Sequence, residues 1–247
     1  MTAIFRREFS SYFISPPGYV FLAVFYCFSG LFLWLNCLAV GQADMSGVFV
    51  MLFYVMVIMV PVLTMRTMAE DKRQKTDQLT LTAPVSLWGL VCGKFFAAFC
   101  VFLLASAALP VYAVFISSAI DGNSSFAWVS FWGNYVGLVL MGAVFICAGI
   151  FISNLTENQM IAAVGGIGVN IVLCIFDLLT NYVQTESVKN IIAKLSVFNR
   201  YYEFTLGIFS VENVLFFISL AVVFLFLTVR FTERRRWSEE GRYEKQI

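Results

Sequence analysis

Long apolar stretches alternate with short polar ones along the chain, and six of the apolar stretches are long enough to cross a bilayer. A transmembrane helix needs about 20 mainly apolar residues, because in lipid every backbone polar group must be paired within the protein. The six stretches cover residues 20–40, 46–65, 87–117, 128–152, 160–181 and 214–231. We therefore predict six transmembrane helices, and we expect Pro61 and Pro110 to kink the ends of the second and third.

The segment before the first stretch, residues 1–17, has the pattern of an amphipathic helix. Its charged residues and serines fall on one helical face, and the opposite face carries Ile4, Phe5, Phe9, Tyr12 and Phe13. A helix of this kind lies at the interface between lipid and water. A disordered basic leader is the alternative that the residues leave open.

The loop after the second stretch, residues 66–86, contains seven charged residues of both signs, followed by an apolar edge that Pro84 interrupts. Charges three to five residues apart support a short exposed helix, so we expect these side chains to face solvent in the isolated chain. A charged helix followed by small apolar residues suits docking into a groove on a soluble partner. A merely solvated connection is the alternative.

Two further connections constrain the packing. The turn at residues 154–159 is so short that the fourth and fifth helices must pack as an antiparallel hairpin. Residues 182–213 are too apolar for a simple loop, yet no stretch within them can span a bilayer. Their pattern predicts short re-entrant or interfacial helices.

The positive charges orient this arrangement. If the N-terminus is cytoplasmic, thirteen of the 16 Lys and Arg residues lie on the cytoplasmic side, and only Lys189, Lys194 and Arg200 lie outside. Lys and Arg are enriched in cytoplasmic loops. The sequence therefore predicts both termini, including the tail at 232–247, inside the cell.

The composition supports a membrane protein and excludes several kinds of chemistry. Hydrophobic residues make up 60% of the chain and charged residues 13%, which a soluble fold could not cover. The chain has no His, so Ser-His-Asp and Cys-His catalysis are excluded. A net charge of +1 without a basic face argues against nucleic acid as a partner. The six cysteines lie in or beside apolar stretches and are expected to be packing residues.

Polar groups within the apolar stretches are few. Gly89, Gly93 and Lys94 superficially resemble a phosphate-binding loop, but the spacing is one residue short and Phe95 replaces the Mg²⁺-binding hydroxyl. We therefore expect no nucleotide site, and we interpret Lys94 as a side chain that reaches toward the membrane surface. Asp177, near the external end of the fifth stretch, is a possible intramembrane polar site.

Small residues are concentrated in the fourth and fifth stretches. They are Gly133 and Gly137 in the fourth and Ala162, Gly165, Gly166 and Gly168 in the fifth. Small residues let helix backbones approach closely. These small residues could serve packing within the chain or an interface between subunits, and the sequence leaves both roles open.

The order of these parts resembles the membrane subunit of an ABC-2 type transporter, and the likeness covers nearly all of the chain. Its most specific stretch comprises PVLTMR at 61–66, AEDK at 69–72 and TDQLTLTAPVS at 76–86. The N-terminal RREF at 6–9 resembles the subgroup named for gliding-motility permeases. Lys75 stands where many members have glycine, and Gln78 replaces a common acidic or apolar residue.

The resemblance implies an all-α integral membrane protein, a single transmembrane domain over 1–247. It has six transmembrane helices, an N-terminal amphipathic interface helix, and re-entrant-like external helices before the sixth span. It implies an ATP-binding cassette permease, expected to be an exporter, in a bacterial cytoplasmic membrane. It implies separate ABC ATPase subunits that drive transport and a second permease subunit, identical or paralogous. An auxiliary membrane or extracytoplasmic protein is a further candidate partner.

In this family the loop after the second span couples the permease to the ATPase. The residues implied as contacts are Glu70, Asp71, Lys72, Arg73, Thr76 and Leu79. No cofactor is implied. Other classes of protein remain as alternatives: a structural membrane anchor for a protein complex, or a secondary transporter. The scarcity of midplane charges argues against the second alternative.

Overall fold

The computed structural model describes residues 2–75, 86–119, 126–180 and 196–243, with the side chains of 176–180 and 236–243 excepted. All regular structure in these residues is helical. The helices are α1 (Thr2–Ile14), α2 (Pro17–Leu33, continued by a π-helical turn at Trp34–Leu38), α3 (Ser46–Thr64), α4 (Arg66–Arg73), α5 (Leu87–Ser106), α6 (Ala108–Ala119), α7 (Trp128–Leu155), α8 (Gln159–Thr180), α9 (Val197–Thr205) and α10 (Val211–Tyr243).

Five helical stretches of the described chain are long and apolar enough to cross a membrane. They are Pro17–Leu38, Ser46–Arg73, Leu87–Ala119, Trp128–Leu155 and Val211–Arg235. The remaining predicted span corresponds to α8, which is 22 residues long but whose described side chains end at Ile175. The chain is thus a helical, multi-pass protein, and the count of six spans stays a prediction.

The bundle is built around α7, which contacts α3, α4, α5, α8, α9 and α10. Most of its length is buried, whereas α10 lies at the edge and exposes apolar side chains such as Val222, Val223 and Leu227. Apolar side chains that point away from a bundle suit contact with lipid. The short turn after Leu155 does bring α7 and α8 into contact, as the hairpin prediction requires.

The two prolines affect their helices differently. The third predicted span is interrupted at Ala107, between α5 and α6, just before Pro110. Pro110 has no N–H to offer the carbonyl of Ser106, so the regular ladder stops there. In the second span α3 continues through Pro61 to Thr64, and the interruption comes later, at Met65.

Aromatic side chains fill the core at the end of the bundle that carries α9. The ring of Phe53 lies 5.0 Å from the rings of both Phe198 and Tyr201. Tyr201 is fully buried and its hydroxyl donates to the carbonyl oxygen of Phe49 at 2.8 Å. The part of segment 182–213 that the structure describes therefore contains a short helix, α9, which packs into the bundle through one face.

The small residues serve packing within the chain wherever close neighbours are described. A Cβ atom on Gly137 would lie 2.9 Å from the Cβ of Phe204 in α9, and one on Gly166 would lie 2.9 Å from the Cβ of Pro61 in α3. Gly168, by contrast, has open space beside it. Of the two roles that the sequence left open, Gly137 and Gly166 therefore serve packing within the chain.

Candidate coupling site

The helix α4 follows the second span after a single residue, Met65, and starts the segment to which the sequence assigned coupling. Within it, Arg66 holds Glu70 through two parallel bonds, from Nε to Oε2 at 2.7 Å and from Nη2 to Oε1 at 2.9 Å. Gln74 adds a bond from Nε2 to Oε1 of Glu70 at 3.1 Å. These contacts lie one helical turn apart and stiffen α4 along one side.

The buried ammonium of Lys94 joins α4 to two other helices. Its Nζ lies 2.6 Å from Oδ2 of Asp71 and 3.4 Å from Oε1 of Glu8 in α1, and it donates to the carbonyl oxygen of Thr67. Lys94 itself belongs to α5 and is 1% exposed. The ammonium of Lys94 therefore ends among polar groups of α1 and α4 rather than in solvent.

The N-terminal helix α1 packs against this cluster with the face that the sequence identified as apolar. Tyr12 is buried, and its hydroxyl lies 3.4 Å from the carbonyl oxygen of Leu63 and 3.3 Å from Oγ1 of Thr67. Burial raises the pKa of Tyr12 to about 12, so the phenol stays neutral and can donate to that carbonyl. The predicted helix is present, and much of its apolar face meets protein.

The amino end of α4 is capped by a side chain from another helix. Met65 precedes α4 and offers no side-chain cap. Instead Oγ of Ser153, near the end of α7, accepts from the backbone N–H groups of Met68 and Ala69, each at 3.1 Å. The same hydroxyl donates to the carbonyl oxygen of Met65 at 3.0 Å. Two of the four N–H groups that every helix leaves unpaired at its start are thereby satisfied from outside.

Lys72 links α4 to the far side of the bundle. Its Nζ donates to the carbonyl oxygen of Asn154 and lies 5.9 Å from the centre of the Phe231 ring in α10. The amide of Asn154 in turn donates to the carbonyl oxygen of Thr228 at 3.1 Å and to Oγ1 of Thr232 at 2.8 Å. Lys72 is 8% exposed, so the prediction that the loop charges face solvent is wrong for this residue.

The remaining residues assigned to coupling divide into exposed ones and ones outside the description. Arg73 is exposed and Glu70 is half-buried. Thr76 and Leu79 lie outside the described residues, and Asp177 lies in the last turn of α8 with its side chain outside the description. Among the described side chains, no group of three or more Cys, Asp and Glu is placed to hold a metal ion.

The end of α4 has a backbone conformation that favours glycine. Lys75 has a φ of 57°, in the left-handed region that favours glycine. The N–H groups of Gln74 and Lys75 bond to the carbonyl oxygens of Glu70 and Lys72 at 2.9 and 3.1 Å, which closes the helix. The backbone thus adopts a glycine-like conformation although the side chain is a lysine.

Together these features define a class of protein. It is a multi-pass helical membrane protein in which α4, the helix after the second span, is attached to the bundle by buried polar contacts. The family described as ABC-2 family transporter protein matches residues 40–232, which is more than half of the chain. The chain belongs to this family, and it is a membrane component of an ABC transporter rather than its ATPase. A comparison with curated proteins finds no match.

Proposed function

We propose that the chain is the permease subunit of an exporter and that α4, with the residues that follow it, receives the force of ATP hydrolysis from ATPase subunits. A second permease subunit, identical or paralogous, would complete the pathway. The observation that carries the proposal is the attachment of α4. Asp71 reaches α1 and α5 through Lys94, Ser153 of α7 caps the helix, and Lys72 reaches α10 through Asn154.

Rigid attachment is what a coupling element needs. A helix of eight residues is marginal by itself in water, so a push on an unattached α4 would be lost in local unfolding. With buried contacts to four helices, a displacement of α4 instead moves α5, α7 and α10 with it. Packed interfaces of this kind shift between discrete arrangements rather than deforming gradually.

The contacts divide the proposed roles among the charged residues. Asp71 and Lys72 hold α4 against the bundle, whereas the exposed Arg73 and the half-buried Glu70 offer the surface for the ATPase. Thr76 and Leu79 remain proposed contacts from the sequence pattern. Asp177 remains a candidate intramembrane polar site on the same basis.

We further propose six spans with both termini in the cytoplasm of a bacterium, in a permease similar to the gliding-motility subgroup. The charge asymmetry supports this topology, and so does the gathering of residues expected to be cytoplasmic. Glu8, Asp71 and Lys94 meet at one cluster, and Arg235 lies 3.1 Å from Glu157 in the turn between α7 and α8. A cysteine substituted for Lys75 should react with a thiol-reactive probe only from the cytoplasmic side.

Site-specific photocrosslinking tests the proposed coupling. A photoreactive residue at Gln74, which is exposed, should form a crosslink in native membranes to a protein that mass spectrometry identifies as an ABC ATPase. The same residue at Ser118, exposed on α6, is the control and should give no such product. If neither position yields an ATPase crosslink, α4 is a structural connection, and the membrane-anchor alternative gains support.

A further inference from the structure

The helices α1 and α2 are joined by a tight elbow. The backbone of Gly18 lies so close to the end of α1 that a Cβ atom on it would lie 2.4 Å from the carbonyl oxygen of Tyr12. The ring of Phe13 in α1 packs edge-on against the ring of Tyr19 in α2, with their centres 5.6 Å apart. Because backbone and side chains are both in contact at the elbow, a change in the direction of α2 carries α1 with it.

The other side of α1 holds the junction between α3 and α4. The hydroxyl of Tyr12 lies 3.4 Å from the carbonyl oxygen of Leu63, in the last turn of α3, and 3.3 Å from Oγ1 of Thr67, in the first turn of α4. One turn earlier in α1, Oε1 of Glu8 lies 3.4 Å from Nζ of Lys94, which also pairs with α4. A displacement of α1 therefore reaches α4 through two side chains.

The span that the elbow connects to α1 lies at the edge of the bundle. Exposed apolar side chains of α2 and its π-helical turn include Leu31, Trp34 and Leu35, and such side chains suit contact with lipid. With that turn the span has 22 residues, which makes it about 33 Å long. The hydrocarbon core of a typical bilayer is about 30 Å thick, so the tilt of α2 depends on the thickness of the bilayer.

We propose that α1 and α2 act as one lever, through which the tilt of α2 in the bilayer sets the position of α4. In a thinner bilayer α2 tilts further, α1 turns with it, and Tyr12 draws Thr67 away from α7. The backbone N–H groups of Met68 and Ala69, next along the chain, then move away from Oγ of Ser153, which accepts from both at 3.1 Å. The thickness of the bilayer thereby regulates how firmly α4 is attached.

A lever of this kind goes beyond the proposed coupling and needs no ATPase. It would operate in the same way if α4 were only a structural connection. Conversely, α4 could contact an ATPase and be insensitive to the bilayer. Exchange measured on the chain without its partners therefore tests the lever alone, whereas crosslinking at Gln74 tests the coupling.

Hydrogen exchange of the full chain in nanodiscs tests the proposal. The bilayers are dimyristoyl, dioleoyl and dierucoyl phosphatidylcholine, which share a headgroup and increase in thickness in that order. We expect the amides of Met68 and Ala69 to exchange several-fold faster in the thinnest bilayer than in the thickest. The amide of Met160 is an internal control, because Oδ1 of Asn158 caps it at 2.9 Å from within its own turn. Its exchange should not depend on the lipid.

Two variants break the lever at opposite ends. A Gly-Gly-Gly insertion after Ser15 separates α1 from α2 and leaves the contacts of α1 with α4 in place. Tyr12→Phe together with Glu8→Gln keeps the elbow and removes those contacts. Either change should abolish the dependence on the lipid. Tyr26→Phe is the matched control, because its hydroxyl joins α2 to the carbonyl oxygen of Leu104 in α5 at 3.1 Å, outside the lever. Thermal unfolding establishes that the variants are folded.

Several results would overturn the proposal. One is equal or slower exchange of Met68 and Ala69 in the thinnest bilayer. Another is a dependence on the lipid that persists in either of the two broken levers, or that Tyr26→Phe also abolishes. An equal dependence at Met160 would assign the effect to a general loosening of the protein in thin bilayers.

Discussion

Asn170 in α8 donates from Nδ2 to the backbone carbonyl oxygen of Val57 in α3 at 3.3 Å. In a regular helix that carbonyl would accept from the N–H of residue 61, which is a proline and has none. The side chain of one membrane helix therefore supplies the hydrogen bond that a proline removes from its neighbour. Gly166, one turn earlier in α8, lets the two helices come close enough, because its missing Cβ leaves room for Pro61.

This relationship predicts a conditional effect of substitution. Asn170→Leu should lower the free energy of unfolding by about 0.5–2 kcal/mol, because the carbonyl of Val57 loses the donor that replaces the missing N–H. In a Pro61→Ala background the backbone N–H at 61 can bond to Val57 itself, so the same substitution should cost less. Thermal unfolding of the four members of this double-mutant cycle measures the difference. Equal costs in both backgrounds would mean that Asn170 does not replace the missing N–H.

Lys94→Met should be among the most damaging single changes at the end of the bundle that holds α4. It leaves the carboxylates of Asp71 and Glu8 partly buried without their shared cation, at a cost of about 3 kcal/mol, the lower end for breaking a buried pair, since both carboxylates are partly exposed. Arg7→Gln, which removes the more exposed partner of Glu8, is the control and should cost less than about 1 kcal/mol. Comparable thermal stability of the two variants would argue against a buried cluster.

Ser153→Ala should loosen the amino end of α4 by removing its cap. The backbone N–H groups of Met68 and Ala69 would lose their acceptor, with a cost of about 1–2 kcal/mol. Hydrogen exchange at these two amides should become faster, whereas Ser219→Ala, at an exposed serine that bonds only to its own helix, should leave it unchanged. Unaltered protection of Met68 and Ala69 would show that α4 does not depend on Ser153.

Two glycines of α8, two residues apart, provide a matched test of close packing. Gly166→Ala places a Cβ 2.9 Å from the rigid ring of Pro61 and should destabilise the protein by about 1–3 kcal/mol. Gly168→Ala meets open space and should be neutral or stabilising by up to about 1 kcal/mol, since alanine favours helices. Similar unfolding temperatures for both variants would contradict the close approach of α8 to α3.

Lys75→Gly should stabilise α4. A left-handed conformation costs a residue with a side chain about 1 kcal/mol or more relative to glycine, and Lys75 adopts it at a φ of 57°. The gain should appear as slower exchange of the amides at the end of α4, measured beside Gln74→Gly. That control places glycine at a residue with a φ of −84°, where no gain is due. A loss of protection in Lys75→Gly would indicate that the lysine side chain itself holds the turn.

Hydropathy alone predicted the helices well, because long apolar segments in lipid can only be helical. The interruption at Ala107 and the tight turn after Leu155 also followed from local rules about proline and loop length. The sequence pattern predicts the apolar face of α1 and places it at the membrane interface. In the structure, much of this face packs against protein instead. One helical face can suit either environment.

The polar contacts of the site could not be predicted in the same way. Lys94, Asp71 and Glu8 are distant in sequence, and nothing in the spacing of any one of them indicates the other two. Lys72 carries the same pattern signal as Arg73, yet one is buried and the other exposed. The two residues point in different directions from the helix axis, and tertiary packing decides which of these directions faces the bundle. The useful signal was Lys94 itself, a charge well inside an apolar stretch.

The cap that Ser153 provides has a consequence for the order of synthesis. Met68 is made 85 residues before the serine that completes its hydrogen bond, so α4 leaves the ribosome without this cap. The cap forms only after the end of α7 has been made. A chain that stalls in between therefore carries the amides of Met68 and Ala69 without the acceptor that they have in the finished protein.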